Sequence, residues 1–243
     1  MMSFFQFFNR ASESLVSVDI HSHLVPSIDD GAKDLERSIE LVLALKDMGY
    51  SKLITTPHIS DMFSNSSQQI KDGYLILKNE LLNRDIDINI EVAAEYYADK
   101  SFEKLLTKQD ILSFGKEKYL LFELSYFSYP QNLESLIYDI KLAGYTPVLA
   151  HPERYVYFHN KFKEYQSLKD MGVLFQINLT SLVNYYSTDI TKAVKGLIVH
   201  GLVDFIGTDI HHRGYIKALD DCFYSSLYSK IFKYNTILNN RLR

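Results

Sequence analysis

One cysteine, Cys222, is all the chain offers for thiol chemistry. A lone cysteine excludes a disulfide framework within the chain and points to a reducing compartment, so a cytoplasmic location is expected. It also excludes phosphoester chemistry at a thiol. Such sites hold phosphate with an Arg six residues beyond the Cys, and Tyr228 stands there instead. Basic excess is lacking too. A formal net charge of −4 argues against general affinity for nucleic acid, while leaving room for a local basic pocket that takes one phosphate. No apolar run reaches the roughly eighteen residues of a membrane-spanning helix. The start of the chain carries Phe4, Phe5, Phe7 and Phe8 but no basic region or cleavage site of a signal peptide. Residues 1–14 read as a Phe-rich arm, which either touches a membrane or packs on its own domain or a sister subunit.

What is present is a rhythm. Seven polar residues, His21, His58, Glu95, Glu123, His151, Asn178 and Asp209, each stand at the end of a short apolar run. The runs cover 15–20, 52–56, 88–94, 119–122, 147–150, 173–177 and 204–208, rich in β-branched and aromatic residues as buried parallel strands are. The residues recur at intervals of 37, 37, 28, 28, 27 and 31, by subtraction of their numbers, close to the thirty or so that one strand, crossover helix and return require.

Helices are expected over 68–83, 102–106, 133–142, 162–170, 190–199 and 216–233, besides one ending before Gly49 whose apolar face carries Leu35, Ile39, Val42 and Leu43. Met48-Gly49, Ala143-Gly144, Met171-Gly172 and His200-Gly201 mark helix-to-strand handovers. No linker rich in Pro, Gly or Ser divides the chain. It reads as one domain over 1–243, an α/β barrel whose chemistry gathers at the carboxyl ends of its strands.

Those strand ends carry metal-binding residue types. In Asp19-Ile20-His21-Ser22-His23 two imidazoles at i and i+2 share one side of an extended chain. Asp29 and Asp30 follow, either as a further carboxylate at the same mouth or as a turn and helix cap. His58 comes after Pro57, and Glu95 and Glu123 end two successive runs. Carboxylates at the tips of apolar strands are costly to bury unless paired or bound to a cation. His151, Asp209 and His211 complete the set. Nine such side chains exceed one tetrahedral zinc and suffice for two or three ions. Three divalent ions against four carboxylates would leave a surplus of about +2, which suits a phosphate dianion. Arg154 and Arg213 lie three and two residues beyond His151 and His211. Each is either a planar fork for phosphate oxygens or a surface salt-bridge partner. Asn178 lacks a ligand's usual chemistry and is expected, with Gln176, to line the pocket.

Taken together, His21-Ser22-His23, Asp29-Asp30-Gly31, Thr56-Pro57-His58, Ala94-Glu95-Tyr96-Tyr97, Phe122-Glu123-Leu124, His151-Pro152-Glu153-Arg154-Tyr155 and Thr208-Asp209-Ile210-His211 resemble the PHP superfamily over nearly the whole chain. Within it they are most similar to the manganese-dependent protein-tyrosine phosphatases of bacterial capsule and exopolysaccharide loci. The resemblance implies a distorted (β/α)7 barrel with three divalent metal ions, Mn²⁺ by family habit, with Fe, Zn or Co also accepted by such ligands. It implies one ion held by His21, His23, Glu95 and Asp209, a second by Asp30, His58 and His211, and a third by Glu123 and His151 with Glu95 as bridge. Arg154 and Arg213 would bind the phosphoryl group. The family's second Arg often lies further from the Asp-x-His than Arg213 does.

The implied reaction is hydrolysis of a phosphotyrosine monoester by metal-activated water, without a Ser or Cys nucleophile. Tyr96, Tyr97, Tyr126 and Tyr155 either line the mouth and stack on the substrate ring or belong to the core. The implied partner is the phosphorylated tyrosine-rich tail of a bacterial tyrosine kinase, met at the inner face of the cytoplasmic membrane, and a homo-oligomer is compatible. Competing readings are a histidinol-phosphatase-like phosphomonoesterase of the same superfamily, a TatD-like metal-dependent nuclease, and a non-catalytic phosphotyrosine-binding adaptor.

Overall fold

Parallel strands alternate with helices from one end of the computed structural model to the other. It describes residues 14–243, so the Phe-rich arm expected over 1–14 lies, but for Ser14, outside the described residues. The first half contributes β1 (Val18–Asp19), α1 (Leu35–Asp47), β2 (Lys52–Thr55), β3 (His58–Ile59), α2 (Ser67–Asn83), β4 (Asn89–Val92), β5 (Glu95–Tyr97) and α3 (Lys100–Lys108). The second contributes β6 (Tyr119–Glu123), α4 (Leu133–Leu142), β7 (Thr146–Ala150), α5 (Phe162–Asp170), β8 (Leu174–Asn178), α6 (Thr188–Val199), β9 (Phe205–Gly207), α7 (Gly214–Phe223) and α8 (Ser226–Tyr234).

Local chemistry explains the helix boundaries. Asp34 caps α1 by accepting a hydrogen bond from the Arg37 N–H, and Ser66 and Gln69 form a reciprocal capping box at α2. Gly144 and Gly172, both at φ 87°, take the left-handed conformation that ends α4 and α5 and hands the chain to the next strand. The single helix expected over 216–233 is two. The chain leaves the helix at Ser225, whose hydroxyl caps α8 by accepting from the Leu227 N–H.

All strand pairs are parallel, in two sheets with orders β1-β2-β4 and β3-β5-β6-β7-β8-β9. The expected seven-stranded barrel is therefore met as a parallel α/β fold rather than as one continuous closed ladder. The division falls inside the second and third apolar runs. Thr56 and Pro57 separate β2 from β3, and Ala93 and Ala94 separate β4 from β5. Pro57 has no N–H to give to a ladder. Backbone bonds bridge both gaps, from Ala93 N to Thr55 O (2.9 Å) and from Glu95 N to Pro57 O (3.1 Å). The chain after β1 meets the chain after β9 through the parallel bridge Ser22–Ile210.

Both faces of the larger sheet are buried, as helices on the outside demand. Leu120, Phe122 and Leu149 join the larger apolar cluster, whereas their alternates Leu121, Val148 and Ala150 join a smaller one with Val18, Ile20, Ile54, Ala93, Phe114 and Phe205. Period-two alternation carries that inner register onward from Leu121 to Glu123, from Ala93 to Glu95 and from Phe205 through Gly207 to Asp209. The polar strand ends are thus the inner face continued past its apolar floor.

Candidate metal centre

Nine side chains expected to ligate metal converge above that floor. His21 Nε2 lies 3.1 Å from Glu95 Oε2, 3.3 Å from Asp209 Oδ1 and 3.4 Å from His23 Nε2. His23 Nε2 lies 3.6 Å from Glu95 Oε2 and 3.5 Å from Asp209 Oδ1. Asp30 Oδ1 stands 3.6 Å from His58 Nε2 and 3.4 Å from His211 Nε2. The other nitrogen of His58, Nδ1, lies 3.1 Å from Glu95 Oε2 and 3.3 Å from Glu123 Oε1. His151 Nε2 approaches Glu95 Oε1 at 3.1 Å and Glu123 Oε2 at 3.8 Å.

Donor atoms within 4.8 Å of one another form four overlapping groups: His23 with Asp30, His58 and His211; His21 with His23 and Glu95; His21 with His151 and Asp209; and His58 with Glu95 and Glu123. The overlaps blur the three-way division that the family resemblance implies, since His23, His58 and His151 each face more than one of its groups. Cation chemistry fits the donors. Glu95 Oε2 is buried and accepts no hydrogen bond, although three imidazole nitrogens surround it within 3.6 Å. A buried carboxylate oxygen in that position is costly unless positive charge meets it.

The field of the cluster points the same way. Burial alone pushes His21 and His58 down, but Glu95 with Asp209 and Glu123 outweighs it and lifts both to about 10. Burial likewise works against ionised Glu95 and Asp209, and the surrounding imidazoles hold both carboxyls well below their usual range. Metal ions held there would supply the positive charge that these carboxylates favour.

A ring of supporting residues orients the donors. Asp29, rather than facing the cleft, accepts from His23 Nδ1 (2.8 Å), from His58 N (3.0 Å) and from Gly31 N (3.0 Å). Its neighbour Asp30 is the half-exposed one that faces His58 and His211. Gln176 Oε1 accepts from His21 Nδ1 (2.7 Å), and Gln176 Nε2 donates to Asn178 Oδ1 (2.9 Å). Asn178 Nδ2 in turn donates to Asp209 Oδ2 (2.6 Å). Gln176 and Asn178 therefore stand behind the donors instead of lining the pocket, because their strand has already carried them below its rim. Buried Asp19 accepts from Thr208 N (2.9 Å) and Oγ1 (2.8 Å), tying β1 to the end of β9.

The His151–Tyr155 segment is a compact device. His151 (φ 35°), like Asp209 (φ 51°), takes a left-handed backbone as the chain leaves its strand. A single 3-10 turn over Pro152–Arg154 follows. Glu153 turns inward and accepts from Asn178 N (2.9 Å) and Ser181 Oγ (2.7 Å), and its burial raises its carboxyl pKa. Tyr155 donates to Ala150 O (2.9 Å) and accepts from Leu124 N (2.9 Å). With both neighbours anchored, Arg154 is left facing outward over the cluster, its Nη1 3.4 Å from Asp209 Oδ2.

Above the donors opens a cavity of about 680 Å³, walled by Asp30, His58, Glu95, Glu123, His151, Arg154, Asp209 and His211 together with Phe63, Tyr97, Tyr126 and Tyr215. Of the tyrosines expected at the mouth, Tyr97 and Tyr126 are there. Tyr96 and Tyr155 are fully buried in the core, where their hydroxyls serve backbone N–H groups. Arg213 is not brought to the cleft. Its Nε pairs with Glu40 Oε1 on α1 at 2.7 Å, and its side chain is 57% exposed. Next to a helix start, proximity in sequence to His211 does not fix the direction of a long side chain.

A family model for capsular polysaccharide synthesis proteins, CpsB/CapC, matches residues 17–228. The chain belongs to this family. Tyrosine-protein phosphatase YwqE of Bacillus subtilis (strain 168) is 31% identical over 196 residues, which are 80% of this chain and 77% of that protein. Tyrosine-protein phosphatase CpsB of Streptococcus agalactiae is 30% identical over 202 residues, covering 80% and 83%. A solved structure described with YwqE from Bacillus subtilis and CpsB from Streptococcus pneumoniae, as metal-dependent tyrosine phosphatases, matches with a TM-score of 0.76 and 28% identity. The match covers 90% of this chain and 96% of that one. The CpsB/CapC match spans every donor in the cluster, from His21 to His211.

Proposed function

We infer that this chain is a metal-dependent tyrosine phosphatase acting on phosphotyrosine monoesters in capsule or exopolysaccharide synthesis. The observation that carries the reading is one cavity whose floor is the His, Asp and Glu cluster and whose wall includes Arg154. The membership of the chain in a family with relatives named tyrosine-protein phosphatases supports it.

On this reading His21, His23, Glu95 and Asp209 would hold one ion, Asp30, His58 and His211 a second, and Glu123 and His151, sharing Glu95, a third. The complement is three divalent ions, Mn²⁺ by family resemblance. When bound, they supply Lewis acidity and a water made nucleophilic near neutral pH. The protein's own part is orientation and charge. Asp29 and Gln176 hold the His23 and His21 rings by Nδ1, which leaves each Nε2 facing the cluster. Arg154 presents N–H donors to the equatorial oxygens of the phosphoryl group, where charge grows in the transition state. Phe63 and Tyr97 offer ring faces to an aromatic leaving group, and tyrosinate, with a conjugate acid of pKa about 10, is a fair one.

The same reading takes the chain as one PHP-type domain and its strands as a distorted seven-unit barrel, an idea supported by the Ser22–Ile210 bridge and the Asp19–Thr208 latch. The partner would be the phosphorylated tyrosine-rich tail of a bacterial tyrosine kinase at the inner membrane face. None of the helices among the described residues is long and apolar enough to cross a membrane.

Substrate comparison tests the function. Mn²⁺-loaded protein should turn over a phosphotyrosine peptide in preference to histidinol phosphate and should leave single-stranded DNA intact. Preference for histidinol phosphate would favour the small-molecule phosphatase. Binding of the peptide without turnover would favour an adaptor.

A further inference from the structure

The guanidinium of Arg154 is enclosed in a way that the phosphatase reading does not require. Its central carbon lies 4.4 Å from the ring centroid of Tyr126 and 4.4 Å from that of Tyr186. The two rings come from different strand-end segments. Tyr126 lies three residues past Glu123 at the end of β6, and its backbone carbonyl accepts from Val156 N (3.2 Å), which ties it to the segment after Arg154. Tyr186 lies immediately before Ser187, the N-cap of α6. Its hydroxyl is within 3.3 Å of both Asn178 Nδ2 and Thr180 Oγ1. The Tyr126 hydroxyl donates to Glu123 Oε2 (3.3 Å), so each ring is held from its own side.

We propose that Tyr126 and Tyr186 form a clamp that positions Arg154 for the phosphoryl group, acting on catalysis through the arginine rather than on substrate directly. The proposal rests on the assignment of Arg154 as the phosphate fork. A guanidinium has its N–H donors in one plane, and its faces are weakly hydrated and stack well on aromatic rings. With both ring centroids 4.4 Å from its central carbon, the guanidinium is left to hydrogen-bond through its in-plane edge. Among the described residues that edge makes one long contact, with Asp209 Oδ2 at 3.4 Å, and the side chain lines the cavity with about a fifth of its surface exposed. A carboxylate in bidentate contact would have occupied the fork and competed with a phosphate dianion. Two ring faces stabilise the cation while leaving the fork free.

The role also accounts for residues that the ligand assignments leave unused. Tyr186 is outside the cavity wall and the donor groups, yet its ring packs on this arginine while its hydroxyl reaches Asp209 Oδ2 at 3.4 Å.

The test is a double-mutant cycle on metal-loaded, full-length protein, with kcat and KM measured on a phosphotyrosine peptide and inhibition measured with inorganic phosphate. Tyr186→Leu and Tyr126→Leu should each lower kcat/KM by about tenfold, the scale of a partly desolvated cation–π contact, and weaken phosphate inhibition in parallel. Tyr186→Phe, which keeps the ring, should recover most of that loss. Bound metal, measured by elemental analysis, should stay at the wild-type level in each. In the Arg154→Ala background, adding Tyr186→Leu should change kcat/KM by less than about twofold, because the residue it acts through is gone.

Equal losses in the Phe and Leu variants would overturn the clamp in favour of the hydroxyl network. So would loss of metal in Tyr186→Leu, or an undiminished effect of that change in the Arg154→Ala background. Full activity of Arg154→Ala would remove the phosphate-fork assignment itself, and the clamp with it. Failure of the clamp alone is recognised by an Arg154→Ala variant that is impaired while the Leu variants are not.

Discussion

Replacing Asp29 with Asn separates a residue that holds a ligand from a residue that is one. The carboxylate sits behind His23 and accepts three hydrogen bonds, from His23 Nδ1, His58 N and Gly31 N. Burial works against its ionisation, yet His23 and the two backbone N–H groups hold its carboxyl well below the usual range. It is therefore an acceptor only, and His23 Nδ1 must carry the proton. An Asn side chain has one acceptor oxygen and turns an N–H₂ toward one of those three donors. The mismatch leaves a buried donor facing a donor, a cost of about 1–3 kcal/mol. If that cost falls on the orientation of His23, metal affinity drops by about 10–100-fold, the usual penalty for removing a carboxylate behind a ligating His. Isothermal titration of chelator-stripped protein with Mn²⁺ measures it, with circular dichroism to check folding. The expected series is wild type tightest, with Asp29→Asn and Asp30→Asn each losing affinity, the latter by removing a donor outright. Unchanged Mn²⁺ binding in Asp29→Asn would refute the orienting role. Unchanged binding in Asp30→Asn together with abolished binding in Asp29→Asn would mean the two aspartates had been assigned the wrong way round.

Arg154→Ala should lower kcat/KM on a phosphotyrosine peptide by about 100-fold, the cost of one lost donor to developing charge. Arg213→Ala should change it by less than about twofold, because its exposed pair with Glu40 lies outside the cleft and such pairs contribute little. Gly207→Ala would drive a methyl to 2.6 Å from His21 Cβ and 2.7 Å from Gln176 Nε2. Overpacking of this kind costs about 1–3 kcal/mol, so a lowered melting temperature should accompany weaker metal binding, as a thermal shift with and without Mn²⁺ would record. Cys222, on α7, is buried and donates to Leu179 O and Ala218 O, both at 2.9 Å, and burial pushes its thiol pKa up. An aromatic disulfide reagent should therefore label it only after denaturation, and labelling of the native protein without loss of structure would contradict this placement.

The donors were legible in the sequence because one physical rule governs them. A strand buried on both faces is mostly apolar until it passes the core, so a His, Glu or Asp just after each run marks where the chain reaches the rim. His21, His58, Glu95, Glu123, His151 and Asp209 all stand there. What lay one step further was not legible. Gln176 and Asn178 resemble pocket-lining residues in sequence, and only the inner register of β8 reveals that they hold His21 and Asp209 from behind. Asp29 and Asp30 are adjacent and chemically alike, and the turn around Gly31 decides which faces the cleft. Arg213 failed for the opposite reason. Short sequence distance from His211 suggested the site, but its flexible side chain finds Glu40 first. Tyr186 carried no motif, and its role appears only once two distant loops meet around Arg154. In the fold, Ser225 was the readable signal that one expected helix is two, while the splitting of the second and third strands depends on Pro57 and Ala93-Ala94 interrupting the ladder.

Hydrolysis of a phosphotyrosine peptide, followed as phosphate release by chelator-stripped protein before and after Mn²⁺ is restored, tests the central claim most directly. Turnover should vanish on stripping and return with the metal, to a level that Arg154→Ala does not reach. Turnover that persists undiminished in the stripped protein would contradict the metal centre, and with it the function inferred from these residues.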